Sequence, residues 1–248
     1  MNKISEKNKK LIKISSIIAV SILIIAIIVI LALRYNIEGE KNLPFKITSI
    51  RVVSTAQGNN QEDAENKWNL DVVQKNDFYF YLEKNPDYNK EDSISKITFE
   101  NFKIEKSSDK GTVSIYKPST NSILYYYNDE YKIENSISFN GALATNIPSL
   151  EIGNQGGLIG FSIAIKDLGN YITNDDSQII HNGTLLSKIN ITNDDITMRV
   201  SFDVIMETTS NKKFKSTLTF DLPTGNIIED GMAILDKENP NDIVFKRF

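Results

Sequence analysis

The longest apolar stretch of the chain lies close to its N-terminus. It runs from Ile14 to Leu33 without a charged residue, a proline or a glycine. As a helix, this stretch would rise about 30 Å, which matches the hydrocarbon core of a bilayer. A soluble helix is rarely apolar on every face over such a length. The pattern therefore predicts a transmembrane helix over residues 14–34, with the lipid bilayer as the partner of residues 14–33.

Beyond this stretch, apolar and polar residues alternate with the period of two that is typical of β-strands. The clearest example is ITMRVSFDVIME, which places six apolar side chains on one face: Ile196, Met198, Val200, Phe202, Val204 and Met206. The segment FKSTLTFDL follows the polar stretch TTSNKK and shows the same alternation, with Phe214, Leu218, Phe220 and Leu222 on one face. The two segments are predicted to form an antiparallel hairpin with one face in a core.

Further hairpins and strands are expected from similar patterns. WNLDVV and FYFYLEK are predicted to pair across a turn at QKND. SQIIHNGTLLSKI is predicted to turn at Asn182-Gly183, a dipeptide favoured in two-residue hairpin loops. ILYYYN and EYKIE are predicted strands. In ISKITFENFKI the apolar register slips between Phe99 and Phe102, which indicates a β-bulge.

The fold class that follows is all-β: an antiparallel β-sandwich ectodomain, residues 45–248, preceded by one transmembrane α-helix and a linker over residues 35–44. The chain has room for one large sandwich or two smaller ones. The segment GALATNIPSL, residues 141–150, is the expected boundary if there are two.

Charge predicts the orientation. Residues 1–34 carry six basic residues and one acid, and the whole chain carries −4, so the remaining residues carry −9. The lysine-rich tail of residues 1–13 is expected in the cytoplasm and the C-terminal region outside it. The exit sequence ILALRYN lacks a small-x-small cleavage pattern, which predicts an uncleaved signal anchor. An acidic outer region is not expected to bind nucleic acid.

The chain has no cysteine and one histidine, His181. The absence of cysteine excludes disulfides, thiolate metal sites and cysteine nucleophiles. A lone histidine is not the basis of a catalytic triad or a typical zinc site, and His181 is interpreted as the flank of the turn at Asn182-Gly183. No catalytic constellation is visible, so the sequence does not predict an enzyme.

The pentapeptide ITNDD occurs twice, at residues 172–176 and 191–195. Asn and Asp side chains bond nearby backbone amides, so both copies are interpreted as turns. The alternative is a calcium site, with Asp175, Asp176, Asp194 and Asp195 as candidate ligands. A second acidic cluster, Glu62, Asp63 and Glu65, is interpreted as a solvated loop. No cofactor is otherwise expected.

Four tyrosines are the candidate contacts for a ligand or partner. Tyr79 and Tyr81 share one face of their predicted strand, opposite Phe78 and Phe80, and Tyr125 and Tyr127 share a face of ILYYYN. Exposed tyrosines on a sheet stack on sugars or anchor protein partners. The alternative is that a second sheet or the other subdomain covers them.

The layout resembles uncharacterised single-pass envelope proteins of low-GC Gram-positive bacteria that are anchored at the N-terminus. The shared features are a short lysine-rich tail, one apolar span and a β-rich outer region without cysteine. The resemblance implies a location at the cell membrane. We expect an extracytoplasmic domain that binds a protein or a cell-wall glycan. The alternatives are a membrane-tethered hydrolase of envelope polymers that uses carboxylates, and a structural subunit of a membrane assembly.

Overall fold

The computed structural model describes residues 6–61, 68–119, 124–142 and 150–248. The chain divides into two compact units, Met1–Lys41 and Asn42–Phe248. The first unit contains one helix, α1 (Glu6–Glu38), which therefore extends into the predicted linker. Residues Lys10–Glu38 of this helix are long and apolar enough to cross a membrane. N-terminal signal sequences share this length and composition.

The second unit is built from strands with a few short helices. The strands in the described part of the chain are β1 (Phe45–Asn60), β2 (Trp68–Lys84), β3 (Ile94–Lys106), β4 (Thr112–Tyr116), β5 (Lys132–Ile133), β6 (Ser136–Gly141), β7 (Glu151–Ile152), β8 (Gly156–Lys166), β9 (Asn170–Thr173), β10 (Met198–Thr208), β11 (Lys213–Asp221), β12 (Ala233–Glu238) and β13 (Lys246–Arg247). The helices are α2 (Thr184–Lys188), α3 (Asn193–Ile196) and α4 (Ile227–Asp230), with a single 3-10 turn at Asp176–Gln178.

The strands form two sheets. The large sheet has the order β12-β1-β2-β8-β4-β5, and β9 pairs with the N-terminal end of β2, from Trp68 to Asp71. The small sheet has the order β13-β11-β10-β3-β6-β7. All these pairs are antiparallel except β6–β7, which is parallel. The two-sheet, mostly β architecture fits the predicted sandwich.

Phenylalanines from both sheets form the centre of the core. Phe80 of the large sheet lies 4.9 Å from Phe99 of the small sheet, between ring centroids, and Phe161 lies 5.2 Å from Phe202. These four side chains are completely buried. Each stabilises the fold by roughly 1.5–3 kcal/mol through removal of its ring from water. The same core cluster includes residues before and after the predicted boundary at 141–150, where positions 143–149 lie outside the described residues.

The hairpin predicted from ITMRVSFDVIME and FKSTLTFDL is confirmed as β10–β11. Phe202 lies directly opposite Leu218, and Val200 opposite Phe220. The β-bulge predicted in β3 is confirmed as well: the pairing with β10 shifts by one residue between Glu100 and Lys103, and Asn101 has a φ of 57°. The alternation of apolar residues was sufficient to predict both features.

The hairpin predicted at WNLDVV-QKND-FYFYLEK is wrong, because these residues form the single strand β2. Gln74 and Asn76, taken as turn residues, continue its inner face and are buried. They are satisfied there by each other, by the Ser54 hydroxyl and by the Ile163 carbonyl, which accepts from Asn76 Nδ2 at 3.3 Å. A polar pair that is fully hydrogen-bonded can remain in a buried strand, so no turn is needed.

The hairpin predicted at Asn182-Gly183 is also wrong. A two-residue hairpin loop of that type needs positive φ, whereas Gly183 has the right-handed helical values φ −58° and ψ −19°. Asn182 Oδ1 instead accepts bonds from the Thr184 amide at 2.9 Å and the Thr184 hydroxyl at 2.7 Å. The dipeptide therefore starts α2. Asn and Asp side chains favour both helix starts and turns, because their oxygens accept hydrogen bonds from nearby backbone amides.

The strands predicted at ILYYYN and EYKIE are mostly absent. Residues 124–128 have no regular structure, and only Lys132–Ile133 of EYKIE form a strand. The rest of ILYYYN lies outside the described residues. The segment 124–131, which we call the tyrosine strap, crosses the outer face of the large sheet and contacts it through side chains, as described below.

Candidate binding surface and polar pocket

The outer face of the large sheet carries the first two candidate tyrosines. Tyr79 and Tyr81 alternate along β2 with the buried Phe78 and Phe80, so both point away from the core. Tyr81 is 42% exposed and lies directly opposite Leu158 of β8, which is 49% exposed. Tyr79 is half-buried. The period-two pattern predicted their common face, and the structure leaves one of the two rings well exposed.

Tyr125 and Tyr127 belong to the tyrosine strap and are buried between it and the sheet. The expectation that they are exposed is therefore wrong. Both point towards the sheet and retain less than a tenth of their accessible surface. Tyr125 fits because Gly160 leaves room: a Cβ at Gly160 would lie 2.9 Å from the Tyr125 hydroxyl. The Tyr125 hydroxyl donates to the Phe78 carbonyl at 3.5 Å. The large sheet itself buries this pair, and not a second sheet or another subdomain as the alternative had it.

A polar network fastens the tyrosine strap to the sheet. The Tyr127 hydroxyl donates to Asp77 Oδ1 at 3.0 Å, and Ser162 Oγ donates to the same oxygen at 2.6 Å. Lys75 Nζ lies 3.2 Å from Asp77 Oδ2 and 5.8 Å above the Tyr127 ring. The Asp77 carboxylate is therefore matched by a cation and two hydroxyl donors, which makes its burial tolerable.

Tyr79, Tyr125 and Tyr127 stay neutral over the physiological pH range, because the pKa of each hydroxyl is raised. Burial, and next the charge of Asp77, raise the pKa of Tyr79 to about 12. The same two causes raise the pKa values of Tyr125 and Tyr127 further. Neutral phenols donate hydrogen bonds and present apolar rings, which suits these three side chains to packing and binding and not to attack as nucleophilic phenolates.

A second exposed apolar position on this face is Ile234 of β12, which the Arg51–Asp236 ion pair separates from Tyr81 and Leu158. Ile234 is 51% exposed and lies opposite Val53, which is half-buried. We call the surface formed by Val53, Tyr79, Tyr81, Leu158 and Ile234 the tyrosine face. On the strap, Leu124 and Tyr126 alternate with the buried tyrosines and are themselves exposed.

The outer face of the small sheet is different. Its described outward positions on β3, β10 and β11 hold ion pairs: Lys96–Glu207, Lys213–Glu207, Lys215–Asp203 and Arg199–Asp221. Ile205 is the one large apolar side chain at these positions and it is half-buried. A sandwich normally presents polar side chains on both outer faces. The tyrosine face departs from that pattern at Tyr81, Leu158 and Ile234, although it also carries the Arg51–Asp236 ion pair, while the small sheet follows the pattern.

The second ITNDD segment lines an open polar pocket of about 600 Å³, together with Ser107, Ser108, Asp109 and Thr197. Asp195 forms a capping box with Thr192 at the start of α3. Its carboxylate also accepts bonds from Lys110 Nζ at 2.8 Å and Ser108 Oγ at 3.3 Å. Lys110 and the Thr192 amide hold the pKa of this carboxyl well below its usual range. These bonds already occupy Asp195, while Asp194 is exposed beside it.

The first ITNDD segment contacts Ser177 and Trp68 through its two aspartates. Asp175 caps the 3-10 turn by accepting bonds from the Ser177 amide at 3.0 Å and the Ser177 hydroxyl at 2.6 Å. Asp176 accepts a bond from Trp68 Nε1. The interpretation that these side chains bond nearby backbone is confirmed for both copies, and each starts a short helical turn. Within the described ranges, no group of three His, Cys, Asp or Glu residues is arranged to hold a metal ion.

His181 lies in the connection before α2, where its Nδ1 accepts a bond from the Gly58 amide at 3.4 Å. It is exposed and adjoins no hairpin turn, so that interpretation is wrong along with the hairpin itself. The acidic cluster at Glu62, Asp63 and Glu65 lies outside the described residues.

A buried carboxylate that no sequence pattern marks is found at Asp92. It accepts bonds from Ser210 Oγ at 2.6 Å and from Lys212 Nζ at 3.0 Å, and Lys212 also donates to the Tyr88 hydroxyl at 2.6 Å. Burial acts to raise the pKa of Asp92, but the bonds from Ser210 and Lys212 outweigh it and lower the pKa. The partners are more than a hundred residues apart in the chain, so only the folded arrangement of β3, β10 and β11 shows the site.

No protein-family model, no curated protein and no solved structure matches this chain.

Proposed function

We propose that this chain is a single-pass membrane protein whose β-sandwich binds an extracytoplasmic partner through the tyrosine face. In this proposal α1 is an uncleaved anchor, the lysine-rich tail lies in the cytoplasm and residues 42–248 lie outside it. The length and apolar surface of α1 support the anchor, and the lysine excess before it supports the orientation.

The observation that carries the binding function is the contrast between the two outer faces of the sandwich. The small sheet is covered with ion pairs, as expected for a surface that faces water. The large sheet exposes Tyr81, Leu158 and Ile234. Aromatic and aliphatic side chains grouped on a surface are characteristic of interaction sites, where tyrosine is enriched among the residues that dominate binding energy.

A carboxylate-dependent hydrolase is less well supported. The described polar pocket contains Asp195, but that carboxylate is engaged by Lys110, Ser108 and the α3 cap. A glycosidase needs one carboxyl with a raised pKa facing another carboxylate, whereas the pKa of Asp195 is lowered.

The location is tested by labelling single cysteines, because the natural chain has none. Two variants, Asn2→Cys in the tail and Thr219→Cys on the outer face of the small sheet, are treated with a membrane-impermeant maleimide in intact cells. We expect labelling of the Thr219→Cys variant alone, with both labelled after lysis. Labelling of the Asn2→Cys variant alone in intact cells would reverse the orientation, and a shortened chain released from the membrane fraction would show cleavage.

The binding surface is tested with a photo-crosslinking amino acid placed in the full-length protein at position 81 or 158. Position 219 is the matched control on the other sheet. We expect positions 81 and 158 to give the same discrete adduct and position 219 to lack it. Adducts that are equal at all three positions, or absent from 81 and 158, would remove the tyrosine face as the binding surface.

A further inference from the structure

We propose that the partner of the tyrosine face is a protein surface with an apolar centre and a rim of lysine or arginine side chains. This inference rests on the function proposed above and adds the chemistry of the partner. It follows from two independent properties of the face, its aliphatic side chains and the charges around it.

The apolar centre favours a protein over a glycan. Leu158 and Ile234 offer a sugar neither rings nor hydrogen bonds, so these aliphatic side chains suit an apolar protein surface better than a glycan. Both are about half exposed, and Leu158 lies directly opposite Tyr81. Tyrosine grouped with aliphatic side chains is the composition of a protein–protein interface core.

The rim of the face is acidic. Glu83 lies two residues beyond Tyr81 on the same side of β2 and is exposed. Glu238 of β12 is exposed and lies opposite Ser49, which itself lies opposite Tyr81. Two carboxylates therefore flank the Tyr81–Leu158 pair, one along the strand and one across the sheet.

The cations of this face cancel only part of that charge. Arg51 is held by Asp236, with Nε to Oδ1 at 3.0 Å, and Lys75 is held by Asp77. Lys46 is half-buried and lies directly opposite Glu83, so it offsets part of the Glu83 charge.

On the strap, Asp129 and Glu130 are exposed and add negative charge. With a net charge of −9 after residue 34, the domain repels polyanionic wall polymers and attracts a basic partner.

The test measures binding of two synthetic strand-length peptides to the full-length protein in nanodiscs of zwitterionic lipid, with empty nanodiscs as the blank. In one peptide Leu and Tyr alternate with Lys, and in the other Glu replaces Lys. We expect the Lys peptide to bind and the Glu peptide not to bind. The double variant Glu83→Lys/Glu238→Lys is expected to lower the affinity for the Lys peptide about tenfold. The dependence of that affinity on salt concentration should become weaker as well.

The matched control is Glu105→Lys/Asp109→Lys, which reverses two exposed acids away from the tyrosine face, on β3 and the loop that follows it. It is expected to bind the Lys peptide like the natural chain. Equal binding of both peptides, no binding of the Lys peptide, or an unchanged affinity after Glu83→Lys/Glu238→Lys would overturn the basic rim. Competition by a neutral N-acetylglucosamine oligomer, lost in Tyr81→Ala, would replace the protein partner with a glycan.

The two proposals fail in different ways. A discrete crosslink at positions 81 and 158 that survives Glu83→Lys/Glu238→Lys would keep the tyrosine face and overturn only the basic partner. Absence of that crosslink would overturn the function on which the inference rests.

Discussion

The Tyr127 hydroxyl lies 3.0 Å from Asp77 Oδ1, and this contact joins the tyrosine strap to the centre of the large sheet. The tyrosine strap is held there mainly by side chains, because its described backbone hydrogen bonds stay within the strap or reach the segment 117–119 just before it. Tyr125 and Tyr127 thus cover one part of the sheet and leave the tyrosine face open beside them. The size of the exposed surface therefore depends on these two anchors.

Tyr127→Phe is expected to lower the free energy of unfolding by about 1–2 kcal/mol, because the buried Asp77 loses a hydrogen-bond donor. The measurement is urea unfolding of the full-length protein in detergent, followed by the fluorescence of Trp68, the only tryptophan. Tyr126→Phe is the matched control, since Tyr126 is 48% exposed, and it should change stability by less than about 0.5 kcal/mol. Equal effects of the two variants would contradict the anchoring role.

Asp92→Asn is expected to destabilise the protein by about 1–3 kcal/mol at neutral pH, because Lys212 loses its buried partner. The folded-state pKa of Asp92 is lowered, so its contribution is present above the ordinary value of about 3.9 and is lost as the pH falls through the lowered pKa. The difference in stability between the natural chain and the variant should therefore shrink below about pH 4. Thermal unfolding at several pH values measures it.

Asp242→Asn is the control for that series. Asp242 pairs with Lys237 at 3.2 Å, but its side chain is 67% exposed, so its loss should cost well under about 1 kcal/mol at any pH. A constant difference between Asp92→Asn and the natural chain down to low pH would show that the charge of Asp92 is not what stabilises this site.

Asn76→Leu should destabilise by about 1–3 kcal/mol, because the buried Ser54 hydroxyl loses its acceptor and Gln74 Oε1 loses its donor. The triple variant Ser54→Ala/Gln74→Leu/Asn76→Leu removes the unsatisfied groups as well and is expected to regain part of that loss. Thermal unfolding compares the two. A triple variant less stable than Asn76→Leu would show that packing, and not hydrogen bonding, governs this part of β2.

The elements that the sequence predicted correctly are those with a clear local alternation of apolar and polar residues. β10 and β11 show it with single exceptions at Ile205 and Ser216, and the slip between Phe99 and Phe102 located the bulge in β3. β2 was mispredicted because Gln74 and Asn76 resemble a turn until their distant partners are known. Hydrogen bonds between residues far apart in the chain leave no local pattern, so a single sequence does not show them.

The sequence predicted the tyrosine face only in part, because some of its properties are local and others depend on residues far apart in the chain. The period of two placed Tyr79 and Tyr81 on one face, because the direction of a side chain in a strand is a local property. Their exposure is not local, since it depends on where the tyrosine strap lies. Asp92 and Lys212 come together only when the hairpin β10–β11 packs beside β3, and neither residue stands in a recognisable motif.

Phe161→Ala is expected to lower the free energy of unfolding by about 3–5 kcal/mol, because it opens a cavity where both sheets meet. The ring of Phe161 is completely buried and lies 4.8 Å from Phe78 and 5.2 Å from Phe202, between centroids. Phe248→Ala is the matched control: the same atoms are removed from a side chain that is 64% exposed, and the cost should stay below about 0.5 kcal/mol. Urea unfolding followed by Trp68 fluorescence measures both. If Phe161→Ala cost no more than Phe248→Ala, the two sheets would not share this core.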